Sequence, residues 1–135
     1  MQTFLPYSDF EQTAKCLDYR RLGKQRVEAD QILNIVLGNN KSNGWVNHPA
    51  VKMWRGFSSA LIEYRNIIIQ EWISRGYNNN MKILSVEKIV YPKWLGNNSF
   101  HSSHKSNLLR KDYSYYSKYG WNETTNLPYI WPENK

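Results

Sequence analysis

Three features of the chain predict an all-α fold. Apolar residues recur every three or four positions, a Ser and a Glu are spaced to cap a helix, and glycines stand where the periodicity stops. The 135 residues fit one compact domain, residues 1–135, and their 41% hydrophobic content is enough for a core. The pattern divides into roughly four to five helices followed by an irregular, aromatic C-terminal tail.

Ser8-Asp9-Phe10-Glu11 has the form of a capping box, so a first helix starts at about Asp9, with Phe10, Ala14 and Leu17 as its apolar stripe. Gly23 kinks this helix or divides it from a second one, which runs through Val27, Ile32, Leu33 and Val36 to a stop at Gly38-Asn39. Residues 39–44 form a polar loop. Pro49 suits a first helical position, and Val51, Trp54, Phe57, Leu61, Tyr64, Ile68 and Trp72 continue from it as one long helix. That helix ends at Arg75-Gly76. Met81 to Tyr91 reads as a short helix, with a strand as the alternative, and Ser102 to Lys111 as another helix. The tail, with Tyr129, Trp131 and Pro132, packs irregularly.

A net charge of +7 and an aromatic fraction of 15% favour nucleic acid as partner, because Lys and Arg neutralise phosphates and aromatic faces stack on bases. No segment approaches the roughly 18 apolar residues of a membrane span, and the start lacks the pattern of a signal peptide. The expectation is an intracellular, cytoplasmic, DNA-associated monomer with no membrane partner. Cys16 is the single cysteine, which excludes an internal disulfide and a multi-cysteine zinc site; it reads as a small buried hydrophobe.

The densest chemistry lies between Asp18 and Glu28. Arg20, Arg21, Lys24 and Arg26 fall within seven residues, and on a helix Asp18, Arg21, Lys24 or Gln25, and Glu28 share one side. Such a face is either a solvated, ion-paired surface or a grip for phosphate. Cationic neighbours also favour a nucleophilic amine at Lys24, and Asp18 and Glu28 are candidate acids or bases. His48 stands at a helix start, where the dipole favours a neutral ring, with Arg55 two turns on. His101 and His104 share a helix face, with Lys105, Asn107 and Arg110 following; these are placed as phosphate or base contacts rather than as metal ligands. Tyr116 and Lys118 belong to an aromatic run interleaved with lysine that suits base stacking.

Several of these stretches together resemble the pyrimidine dimer DNA glycosylase family, of which a phage endonuclease V is the best-known member. They are Met1-Gln2-Thr3-Phe4-Leu5-Pro6, Arg21-Leu22-Gly23-Lys24-Gln25-Arg26-Val27-Glu28, Asn47-His48-Pro49-Ala50, Phe100-His101 through His104 to Lys111, and Trp131-Pro132. The resemblance implies a helical domain that binds duplex DNA and kinks it at a lesion. It also implies attack of an amine on the sugar C1′, imine formation assisted by a carboxylate, and strand cleavage by elimination. The family nucleophile is the α-amine exposed when the initiator methionine is removed. Gln2 is bulky enough to keep Met1 in place, so the α-amine of Met1 takes that position. The family glutamate aligns with Arg21, which leaves Asp18 or Glu28 to supply the carboxylate.

The reading is a DNA-repair or modified-base glycosylase, with AP lyase activity as an extension, acting on damaged or modified pyrimidines without a cofactor. Met1, Asp18, Arg21, Lys24, Glu28 and His48 are its candidate catalytic residues. Arg20, Arg26, Arg55, His101, His104, Lys105, Asn107, Arg110, Tyr116 and Lys118 are its candidate DNA contacts. The alternatives are a metal-dependent nuclease using His48, His101 and His104, and a non-catalytic nucleic-acid-binding module.

Overall fold

Six α-helices and no strand form among residues 1–39 and 44–132, the residues that this computed structural model describes. Helix α1 is Phe10–Cys16, α2 Tyr19–Val36, α3 Pro49–Lys52, α4 Ser58–Ser74, α5 Asn98–Lys111 and α6 Tyr113–Tyr116. The fold class is all-α as the periodicity predicts; α3 and α6 are single turns of four residues, which is how the helices exceed the expected four to five.

Near the N-terminus two helix boundaries differ from the sequence reading. The first helix begins one residue late: Asp9 is extended and its carboxylate accepts the Glu11 amide at 2.9 Å, displacing Ser8 from the capping role. The division between α1 and α2 falls at Leu17 and Asp18, not at Gly23. Asp18 is extended and caps α2 by accepting the Arg21 amide. Gly23 instead sits inside α2, where an added Cβ would come 2.9 Å from two ring carbons of Trp72.

That ring cannot retreat freely. It stacks on Tyr77 at 4.3 Å, lies under the Arg26 guanidinium, and donates from Nε1 to the Asn78 carbonyl. Gly23→Val is therefore expected to destabilise the protein by about 1–3 kcal/mol, measured by urea unfolding, despite replacing a poor helix former.

The long helix predicted from Pro49 to Arg75 is broken between α3 and α4. Gly56 adopts φ +83°, a left-handed conformation that ends the helical path. The resulting corner drives Trp54 fully into the core, where its indole donates to Thr3 Oγ1 at 3.1 Å. The predicted end of α4 at Arg75-Gly76 is where the helix stops.

Helix α4 packs on both α1 and α2 and supplies Leu61, Tyr64 and Ile68 to the core. Residues 81–91 are not a helix. Their backbone finds partners on α4 instead: Asn66 accepts from the Leu84 amide and donates to its carbonyl, and Arg65 donates to the Lys82 carbonyl. Arg65 is itself buried and neutralised by Asp30 at 2.8 Å.

Helix α5 runs farther back than Ser102, to an N-cap at Asn97. Its small polar residues dock the tail in register. Ser106 accepts from the Leu127 amide, Ser103 from the Ile130 amide, and Asn107 donates to the Leu127 carbonyl. The expected loop at 39–44 lies mostly outside the described residues. Among the described residues, no helix is long and apolar enough to cross a membrane.

Candidate active site

The N-terminal segment is clamped residue by residue. Trp54 donates to Thr3. The Phe4 amide donates to Gln25 Oε1 at 2.9 Å, and the Tyr64 hydroxyl lies 2.8 Å from both that oxygen and the Phe4 carbonyl. The Leu5 amide donates to His104 Nδ1 at 2.9 Å, and His101 Nδ1 meets the Leu5 carbonyl at 2.7 Å.

These contacts set the tautomers. His101 carries its proton on Nδ1, since its Nε2 accepts from the Gly96 amide at 2.9 Å. His104 must be unprotonated at Nδ1 to accept. Burial lowers both histidines below the usual range, His104 to about 3 with the neighbouring His101 adding to the effect. The two are thus neutral structural clamps.

Gln25 is fully engaged: it also donates to the Gln2 carbonyl at 2.9 Å and to Glu28 Oε2 at 3.0 Å. It binds the start of the chain to the carboxylate of Glu28. Sequence reasoning placed Gln25 as an alternative to Lys24 on the helix face; the structure turns it inward, with no exposure.

Beside this junction lies a cavity of roughly 800 Å³. Helix α2 supplies Asp18, Tyr19, Arg20, Arg21, Lys24 and Glu28; the N-terminal segment supplies Met1, Gln2 and Phe4. His48 enters from before α3, Lys111, Asp112 and Tyr115 from the α5–α6 junction, and Tyr129 and Trp131 from the tail. The structure therefore brings together all six candidate catalytic residues, Met1, Asp18, Arg21, Lys24, Glu28 and His48, and with them Arg20.

The two carboxylates differ. Asp18 is saturated: Oδ1 accepts from Tyr116 Oη and from Arg21 Nη1, and Oδ2 from the Arg21 amide. Burial pushes its pKa up, but the bonds from Tyr116 and Arg21 outweigh it and hold the carboxyl below the usual range. Glu28 spends Oε2 on Gln25, while Oε1 faces only Lys24 Nζ, 3.8 Å away. His48 accepts the Ala50 amide at Nδ1, leaving Nε2–H as its donor when neutral. Burial, and then the positive charge of the Met1 amine, lower its pKa.

The remaining DNA-contact candidates lie outside this cavity. Arg26 lies over Trp72 and donates to Asn79 at 2.7 Å; Arg55 donates to the Val46 carbonyl. His101, His104, Asn107 and Tyr116 are buried. Arg110 bonds the Thr125 carbonyl and Asn107. Lys105 and Lys118 rest over aromatic rings, Lys105 on Tyr7 and Trp121 and Lys118 on Tyr115 and Tyr119. His48, His101 and His104 do not converge, and among the described residues no three His, Cys, Asp or Glu side chains are arranged to hold a metal. Cys16 is buried, which pushes its thiol up to about 12.

Tyr115, Tyr129, Trp131 and Lys111 line the cavity without having been singled out individually. Lys111 and Trp131 stand at the ends of stretches that carry the family resemblance; no local signal marked Tyr129.

A family model described as pyrimidine dimer DNA glycosylase matches residues 1–85. That span carries every cavity residue from Met1 to His48 and stops short of α5 and the tail. No curated protein and no solved structure matches the chain.

Proposed function

The chain belongs to the pyrimidine dimer DNA glycosylase family, and on that premise we propose that it releases a damaged or modified pyrimidine from duplex DNA through an imine on the sugar. One observation carries the reading: a half-open carboxylate, Glu28, shares a cavity with primary amines and guanidinium groups.

In this mechanism Arg20 and Arg21 bind backbone phosphates, and the net charge of +7 draws in the duplex. An extruded nucleotide enters the cavity with its base against Tyr129 and Trp131. An amine attacks C1′ as the bond to the base breaks; Met1 and Lys24 are the amines that sequence reasoning proposes, and both line the cavity. His48 Nε2–H donates a hydrogen bond to the departing base, which leaves as its anion and takes its proton from water. Glu28 stabilises charge at the sugar and then takes the proton from C2′. Expulsion of the 3′ phosphate follows, which is the AP lyase extension. Asp18 shapes the site through Arg21.

The test is borohydride trapping on a duplex carrying an abasic site, then on one carrying a cyclobutane thymine dimer. A covalent protein–DNA adduct on both is expected, with base release from the second. Salt-sensitive binding without adduct or released base on either duplex would overturn the proposal in favour of a non-catalytic binding module.

A further inference from the structure

Resting on that imine reading, we propose that Gln25 is the residue that positions Glu28 and reserves its Oε1 for the proton leaving C2′. Gln25 acts through Glu28 and is a positioning residue, since it lies fully buried within α2, three residues before that carboxylate.

The partners of its amide fix which way it points. Oε1 accepts the Phe4 amide at 2.9 Å and lies 2.8 Å from the Tyr64 hydroxyl. Nε2 donates to the Gln2 carbonyl at 2.9 Å and to Glu28 Oε2 at 3.0 Å. Turning the amide over would set its oxygen against the carbonyl and the carboxylate, and its NH2 against the Phe4 N–H. The N–H aimed at Glu28 therefore cannot be exchanged for an acceptor.

This makes the two oxygens of Glu28 unequal. A carboxylic acid accepts hydrogen bonds better through its carbonyl oxygen than through its hydroxyl. A proton arriving at Glu28 thus belongs on Oε1, while Oε2 keeps the bond from Gln25. Oε1 also has a site for it. Among the described residues its ion-pair partner is Lys24, whose Nζ is 3.8 Å away, beyond hydrogen-bond distance, on a side chain that is 74% exposed. The same amide ties Glu28 to the Gln2 carbonyl, which holds the carboxylate beside the segment where Met1, Gln2 and Phe4 line the cavity.

The step balances as follows. The C2′–H bond breaks and its proton forms an O–H bond with Glu28 Oε1. The electron pair of that bond forms C2′=C3′ as the C3′–O bond breaks, with its electrons leaving on the 3′ phosphate. The protonated imine at C1′ is retained.

Single-turnover strand cleavage on an abasic duplex should be measured for wild type, Gln25→Met, Glu28→Gln and the double variant, each with its duplex affinity and urea stability. Methionine keeps the length of the side chain and removes the N–H donor. Gln25→Met is expected to slow cleavage by about 10–10²-fold, the scale for a slightly misplaced reacting group, with duplex affinity unchanged. In the Glu28→Gln background the same change should cost less than about threefold, because the group it positions is already gone. A purely structural role would cost the same in both backgrounds, and that result, or a wild-type rate in Gln25→Met, would overturn the inference while leaving imine chemistry intact. A wild-type protein that neither traps nor cleaves would remove both proposals together. A second measurement needs no Gln25 variant. In ¹⁵N-labelled wild type the Gln25 side-chain amide is expected to show one proton shifted downfield by its carboxylate acceptor, moving upfield in Glu28→Gln, where the acceptor is neutral. An unchanged signal would overturn the contact on which the inference rests.

Discussion

Replacing Glu28 by Gln is expected to slow base release from a duplex carrying a cyclobutane thymine dimer by about 10²–10⁴-fold, the range for loss of a positioned acid–base group. Single-turnover kinetics would read it. The fold should survive, because glutamine offers an oxygen where Glu28 accepts from Gln25. Duplex binding should not weaken, since the change removes a negative charge from a largely cationic cavity. Asp18 makes the useful contrast. Its oxygens are occupied by Tyr116, Arg21 and the helix cap. Asp18→Ala is expected to act on stability first, by about 0.5–2 kcal/mol for the lost cap alone. If Glu28→Gln retained full activity, the carboxylate assignment would fail.

The second large effect is on stability as a function of pH. His104 is held neutral in the fold, with its pKa lowered from the ordinary 6.5 to about 3 by burial, while in the unfolded chain it protonates normally. The unfolded state therefore binds more protons throughout that window. The stabilisation is present above the unfolded value and is lost as pH falls towards the folded one, at up to about 1.4 kcal/mol per pH unit. His101 shifts in the same direction. Between pH 6.5 and roughly 4.5, before carboxylates such as Asp18 begin to protonate, the histidines account for the decline. Urea unfolding across that range should show the slope, and His104→Asn, which keeps an acceptor for the Leu5 amide, should reduce it. An unchanged slope in that variant would reassign the acid sensitivity elsewhere.

The clamp role of these histidines shows where sequence reading stops. Their spacing of three put them on one helix face, which is correct, and their chemistry allowed a base contact, a phosphate contact or a metal. Which of these an imidazole makes depends on what packs against that face. Here it is the Leu5 peptide, nearly a hundred residues away in the chain. The same holds for Tyr129 and Trp131: nothing in their neighbourhood announces a cavity wall, and only the docking of the tail on Ser103, Ser106 and Asn107 brings them there. The residues 81–91 misled for the same reason. Their apolar content is compatible with a helix, but Arg65 and Asn66 hydrogen-bond the backbone of Lys82 and Leu84, and the segment forms neither helix nor strand.

What the sequence by itself determined is local. Helical periodicity, the glycine stops after α2 and α4, and Pro49 at the start of α3 follow from interactions within a few residues. So does the placement of Asp18, Arg21, Lys24 and Glu28 along one side of α2, which the 3.6-residue repeat imposes whatever the surroundings. Only the tertiary structure decided which of these groups is free to act. It saturated Asp18 with Tyr116 and Arg21, left Glu28 Oε1 facing only Lys24 at 3.8 Å, turned Gln25 inward to bind the N-terminal segment, and brought Lys111 to the cavity that α2 lines. The reason is physical: a side chain's reactivity depends on its burial, its hydrogen-bond partners and the charges around it, and those come from parts of the chain that only folding brings together.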